Sequence, residues 1–196
     1  MDLILTVEDN ALWAPGKRKI KQLGRVPDGF KLRLLKMFTS YMASVYVTEL
    51  VIAIDTQRYW DVWEPLNERY LEFKKAMGWS ENTWERTSLL KESITWWSVG
   101  KKGYAVGINK KAVYKLENGE TLPVRLVAQW MEYGTGEQAE RGNGKQGHKG
   151  MPPRPLFRPL RERLSRDINR WYSKFIDEYA EDIDDVLVYS TLEDLA

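Results

Sequence analysis

Six glutamates lie among a run of tryptophans: Glu64, Glu68, Glu72, Glu81, Glu85 and Glu92, interleaved with Trp60, Trp63, Trp79, Trp84, Trp96 and Trp97. Two carboxylates beside rings on which a sugar can stack would equip a chain for glycoside hydrolysis. The spacing gives three of them another role. Glu64, Glu68 and Glu72 recur every four residues and so share one helix face, opposite Leu66, Tyr70, Phe73 and Met77. That is the pattern of a solvated face with lysine partners such as Lys75. A carbohydrate-active enzyme is therefore the least favoured of three functional readings.

Other chemistry is scarce. His148 is the single histidine, and no carboxylate lies near it in sequence to orient it; there is no cysteine, so a zinc site has no ligand set. The chain contains neither a nucleophile-elbow GxSxG nor a phosphate-cradling GxxxxGK. The expectation is no catalytic residue, no metal and no cofactor, with His148 a solvated loop residue.

The elements that must position any site follow from periodicity. In 196 residues, 43% hydrophobic and 30% charged, one soluble domain over 1–196 is expected. Leu3–Val7 reads as a short strand. A loop punctuated by Pro15, Gly16, Gly24, Pro27 and Gly29 follows, with a basic arm over 9–29. Leu34, Leu35, Phe38, Tyr41, Met42 and Val45 recur at helical spacing, and no turn signal interrupts 29–55, so one long helix is predicted there. A second helix runs from Pro65 to Gly78 with Leu66, Tyr70, Phe73 and Met77 inward. The period then changes. SITWWSV and GYAVGI flank Gly100–Gly103, with Ile94 and Trp96 on one face and Thr95, Trp97 and Val99 on the other. A further hairpin turns at Asn118-Gly119. A short helix through Tyr133 buries Leu126, Val127, Trp130 and Met131 and stops at Gly134. The last helix is predicted from about Pro155 to Val186. The fold class is α+β: an antiparallel, hairpin-based sheet packed with a long N-terminal and a long C-terminal helix.

Charge is unevenly placed although the net is only +2. Residues 17–36 are strongly basic, and 187–196 form an acidic tail. The basic block could meet nucleic acid, which gives the second reading, or the acidic tail of a neighbouring subunit. The start MDLILTVEDN lacks the basic and apolar regions of a signal peptide, and the longest apolar run is short for a membrane span, so no membrane partner is expected.

One stretch combines unlike parts. WMEYGT closes a helix, residues 136–150 form a flexible Gly-rich loop with no apolar residue larger than alanine, and MPPRPLFRPL opens the last helix. Proline fixes φ and lacks a donor, so PPRPLFRP is a stiff connector. It presents Arg154 and Arg158 at fixed places, able to grip carboxylates in a fork, with Glu132 a candidate partner in the same or an adjacent subunit. Phe157 should be buried at the base of the last helix.

This stretch resembles the tail-completion and head–tail joining proteins of tailed bacteriophages. The resemblance rests on Glu132, Tyr133, Gly134 and Thr135, followed after the loop by Arg154, Pro155, Phe157, Arg158 and Pro159. Two upstream segments resemble the related phage virion-morphogenesis proteins: Trp63, Pro65, Leu66 and Lys75, then Thr87, Leu89, Ser93 and Ile94. Ser88 stands where those proteins usually carry glycine, and Pro153 and Leu156 where they carry alanine and phenylalanine. The likeness covers about residues 58–165. It implies a non-enzymatic neck protein of the virion, assembled in the host cytoplasm. Copies would form a ring, usually of six, that completes the tail and joins it to the head connector, adaptor or stopper. The tail tube or sheath would be the other partner, with DNA passing through the lumen. Lys145, His148 and Lys149 of the loop would then face the lumen or a neighbouring ring.

Overall fold

The computed structural model describes residues 5–6, 28–59, 61–85, 87–100, 103–116, 118–135, 151–180 and 183. Contacts divide the chain into two compact units. The first comprises residues 1–4, 47–95 and 107–160; the second comprises 5–46, 96–106 and 161–196. The elements in chain order are β1 (Leu5–Thr6), α1 (Asp28–Asp55), α2 (Glu68–Ala76), α3 (Leu89–Glu92), β2 (Ile94–Ser98), β3 (Tyr104–Ile108), β4 (Val113–Lys115), β5 (Thr121–Pro123), α4 (Val124–Tyr133), α5 (Phe157–Arg166) and α6 (Ile168–Glu178). This is the α+β class expected. The boundary between the units cuts α1, β2, β3 and α5.

The second unit is built on the first half of α1. Leu34, Phe38, Met42, Ala43 and Tyr46 are buried at three- and four-residue spacing. Phe38 meets Tyr172 edge-on at 5.3 Å and Phe175 at 5.3 Å, and Tyr41 meets Phe175 at 5.6 Å and Tyr179 at 5.9 Å. Rings at these separations add to the burial term. By length and composition alone Leu32–Asp55 could cross a membrane. Its buried stripe against the α6 aromatics explains the apolar content as that of a core helix. The β-branched run at 45–54 continues the helix, as its lack of two-residue alternation predicts.

In the three-stranded sheet the order is β1-β3-β2, and β1 pairs antiparallel with β3 in the register Leu5↔Val106 and Thr6↔Ala105. From residue 95 the faces alternate as predicted: Thr95, Trp97 and Val99 are half-buried, and Trp96 and Ser98 are exposed. Ile94, at the start of β2, is buried while Trp96 is exposed. Trp96 packs edge-on against Tyr104 of β3 at 5.1 Å.

The last helical stretch is two helices. Asp167 separates α5 from α6 and is the N-cap residue of α6. Periodicity continues across this position and so does not reveal the break.

The first unit holds α2–α4 and the second hairpin. β4 pairs with β5 through Val113↔Pro123, Tyr114↔Leu122 and Lys115↔Thr121, turning at Gly119 (φ 81°). α4 buries Val124, Ala128, Met131 and Glu132, while Leu126, Val127 and Trp130 are only half-buried. The predicted inward face is thus rotated toward Glu132.

α2 departs further. Tyr70, Phe73 and Met77 are 42%, 49% and 43% exposed, whereas Lys74 is 1% exposed. The physical reason is local. The Lys74 ammonium donates to the carbonyls of Asn82 (2.6 Å) and Glu85 (2.7 Å), closing the segment after the helix onto it. The displaced aromatics pair with each other on the surface, Tyr70 stacking on Phe73 and Phe73 meeting Trp79 edge-on at 5.4 Å. The lysine on the exposed face is its neighbour Lys75, which reaches Glu81 at 3.3 Å.

Candidate functional site

The residues singled out at 132–135 and 154–159 meet in one clasp inside the first unit. Its logic is a backbone account. The 154–158 segment must leave an extended proline-rich path and enter α5, where the first N–H groups have no helical acceptor. Glu132, 4% exposed on the last turn of α4, supplies that acceptor. Its carboxylate accepts from the N–H of Leu156 (2.7 Å), Phe157 (3.0 Å) and Arg158 (3.0 Å). A negative group at a helix N-terminus is also favoured by the helix dipole.

The carbonyls of the same segment are taken by indoles. Trp84 donates to the Arg154 carbonyl at 3.0 Å, and Trp63 donates to the Pro155 carbonyl at 2.9 Å. The Arg154 N–H donates to the Met131 carbonyl. Proline at 155 has no N–H to satisfy. The N–H groups of Arg154, Leu156, Phe157 and Arg158 and the carbonyls of Arg154 and Pro155 are thereby each matched to a particular side chain or carbonyl, and the Leu156 carbonyl accepts from the Leu160 N–H.

Within the chain, Glu132 takes neither arginine side chain. Arg154 is 4% exposed and directs its side chain to the carbonyls of Glu64 (2.8 Å) and Pro65 (3.2 Å). Arg158 is exposed and meets Glu132 only through its backbone. The reason is that three converging backbone donors at a helix start fill the carboxylate's lone pairs more fully than one side chain would. Phe157 is fully buried, as expected, with its ring 5.9 Å from Trp84. Tyr133 points out at 61% exposure, and Pro159 is half-buried.

Gly134 ends α4 at φ 75°, ψ 179°, a region open in practice only to glycine. A Cβ there would lie 2.7 Å from the Met151 carbonyl oxygen and 3.0 Å from the Pro153 nitrogen. Thr135 then ties the two chain ends together. Its N–H donates to the Met151 carbonyl at 2.9 Å, and its Oγ1 accepts from the Met151 N–H at 2.7 Å. Residues 136–150 thus leave and return through one closed base. Gly134→Ala should lower stability by about 3 kcal/mol, from backbone strain plus a clash with main-chain atoms that cannot rotate away. A loss under about 1 kcal/mol in urea titration would show that the base opens freely.

No protein-family model, curated protein or solved structure matches the chain.

Of the upstream motif residues, Trp63 and Pro65 belong to the clasp, through the indole and the carbonyl respectively. Ser93 and Ile94 are buried nearby in sequence to α3, and the Ser93 hydroxyl donates to the Leu90 carbonyl at 2.8 Å. Thr87 is exposed and Leu89 half-buried; none of these four hydrogen-bonds to the clasp in the contacts described. The basic arm up to residue 27, the loop with Lys145, His148 and Lys149, and the acidic tail 187–196 lie outside the described residues. Among the described residues no group of three or more His, Asp or Glu could hold a metal ion.

Sequence reasoning missed Trp84 and Lys74. Trp84 was one aromatic among nine tryptophans, and nothing in its spacing marks it as the donor to Arg154. Lys74 looked like any solvated helix lysine. Burial pushes its ammonium below the ordinary lysine value of 10.5, against the opposing charges of Glu85 and Glu81. The folded chain therefore holds this proton less tightly than the unfolded chain. The resulting loss of stability is present below the folded pKa and is relieved as pH rises from there toward 10.5. Lys74→Met lacks this dependence. The stability of the natural chain relative to Lys74→Met should rise as the pH climbs toward 10.5, by less than roughly 1.4 kcal/mol per pH unit. Parallel pH–stability curves for the two proteins would contradict the shift.

Proposed function

We propose that this chain is a structural protein of a phage neck, forming a ring that completes the tail and joins it to the head connector, with no catalytic role. One observation carries the reading. The segments on which the resemblance rests are far apart in sequence, yet Trp63, Pro65, Glu132, Gly134, Thr135, Arg154 and Phe157 make one clasp that closes the base of the 136–150 segment. Residues placed to hold a helix start and a loop base rigid suit a subunit that presents a loop to a neighbour. The exposed aromatic residues Tyr70 and Phe73 on α2 add support, since rings left on a surface are typical anchors of protein interfaces.

The test is assembly. Purified chain should form closed rings in negative stain and in native mass spectrometry, and the rings should cap isolated tail tubes. Shortening 136–150 to a few glycines should leave the fold intact and yield filled heads and free tails in a lysate. A chain that stays monomeric at high concentration and ignores tail tubes would remove the proposal. Steep loss of DNA affinity with salt in such a monomer would favour a nucleic-acid-binding protein instead.

A further inference from the structure

The first unit encloses an open pocket of about 610 Å³, within the range that accepts small molecules or a few side chains. Trp84, Leu122, Val127 and Trp130 give it apolar walls, and Lys74, Arg154 and Glu64 also line it. The two cations are 1% and 4% exposed. A buried charge is ordinarily matched by an opposite one, because neutral partners recover only part of its lost hydration.

Here the partners are neutral. Lys74 donates to the carbonyls of Asn82 and Glu85 and lies over the Tyr70 ring at 6.0 Å; Arg154 donates through Nε and one terminal nitrogen to the carbonyls of Glu64 and Pro65. Neither cation has a carboxylate within 4.0 Å among the described residues. The nearby acids are engaged elsewhere: Glu81 with Lys75 at 3.3 Å, and Glu85 with Lys91 at 3.4 Å and with Asn82. Glu64 is on the exposed rim. Two cations and one rim carboxylate leave the lining at +1, which suits a monoanion.

We propose that this pocket binds a carboxylate carried on an apolar body, the head held by Lys74 and Arg154 and the body by Trp84 and Trp130. The Arg154 guanidinium matches a planar carboxylate, and the indoles cover an aliphatic or aromatic body. A dianionic phosphate would exceed the charge available and lose more hydration against these walls. The inference is independent of the neck reading, because it concerns a ligand and not assembly.

Calorimetry on the full chain tests it with three probes: decanoate, decanol, and the capped peptide acetyl-Leu-Asp-Phe-Leu-amide. Decanoate or the peptide should bind, and decanol at least tenfold more weakly. Binding by decanoate assigns the site to a free carboxylate; binding by the peptide alone assigns it to an acidic side chain of a partner protein. Lys74→Met should weaken binding at least tenfold. Val127→Trp fills the space while keeping both cations and should abolish binding, with the circular dichroism spectrum and melting curve confirming that the variant folds. Equal affinity for decanol, failure of both acids to bind at millimolar concentration, or binding that survives Val127→Trp would overturn the proposal.

Discussion

Replacing Glu132 by alanine should destabilise the first unit by about 4 kcal/mol, a large fraction of the roughly 5–15 kcal/mol that holds a domain together. The substitution leaves the N–H groups of Leu156, Phe157 and Arg158 at a buried or part-buried helix start with no acceptor. Each such donor costs on the order of 1–3 kcal/mol when water cannot replace the partner. Not all three remain dry, since the Arg158 site is only part-buried, which keeps the sum below the upper bound. Glu132→Gln should cost less, about 2 kcal/mol. The amide oxygen can still accept, but the charge is lost and the amide nitrogen opposes an N–H donor. Urea titration of the three proteins measures both values. Equal losses for Ala and Gln would mean that a single retained acceptor oxygen rescues nothing without the charge and the second oxygen, and an alanine cost under about 1 kcal/mol would show that α5 starts without its cap.

Phe157→Ala should cost about 3–5 kcal/mol, the usual range for a buried phenylalanine. Phe157 is fully buried against Trp84, and its own N–H is one of the three that Glu132 accepts. Phe157→Leu, which keeps most of the volume, should cost less than about 1.5 kcal/mol. Because ring and cap act on the same helix start, the Glu132→Ala, Phe157→Ala double variant should fall short of the sum by about 1 kcal/mol or more. Additive losses would show that the cap and the ring hold α5 independently. A cost near zero for Phe157→Ala would mean that the side chain lies at an interface that opens in the free subunit.

Much of the fold was legible from residues alone. α1 followed from apolar spacing without a turn signal over 29–55, and the β4–β5 turn from Asn118-Gly119. Gly134 as the stop of α4 and the burial of Phe157 followed from local rules of the same kind. Such features depend on a residue and its neighbours within a few positions, where backbone sterics and period decide. The importance of Glu132, Gly134 and Arg154 was also readable, from their place around a stiff segment. Their partners were not. Charge complementarity pointed Glu132 at an arginine, whereas the fold brings three backbone N–H groups to it and sends Arg154 to carbonyls 89 and 90 residues away. The same holds for α2, where period alone would bury Tyr70, Phe73 and Met77, but Lys74 is buried instead because distant-facing carbonyls at Asn82 and Glu85 close over its ammonium. The break at Asp167 between α5 and α6 likewise leaves the apolar period intact. A sequence states which groups need partners and how the chain can bend locally. Which donor meets which acceptor depends on segments brought together from across the chain, and only the tertiary structure decides that.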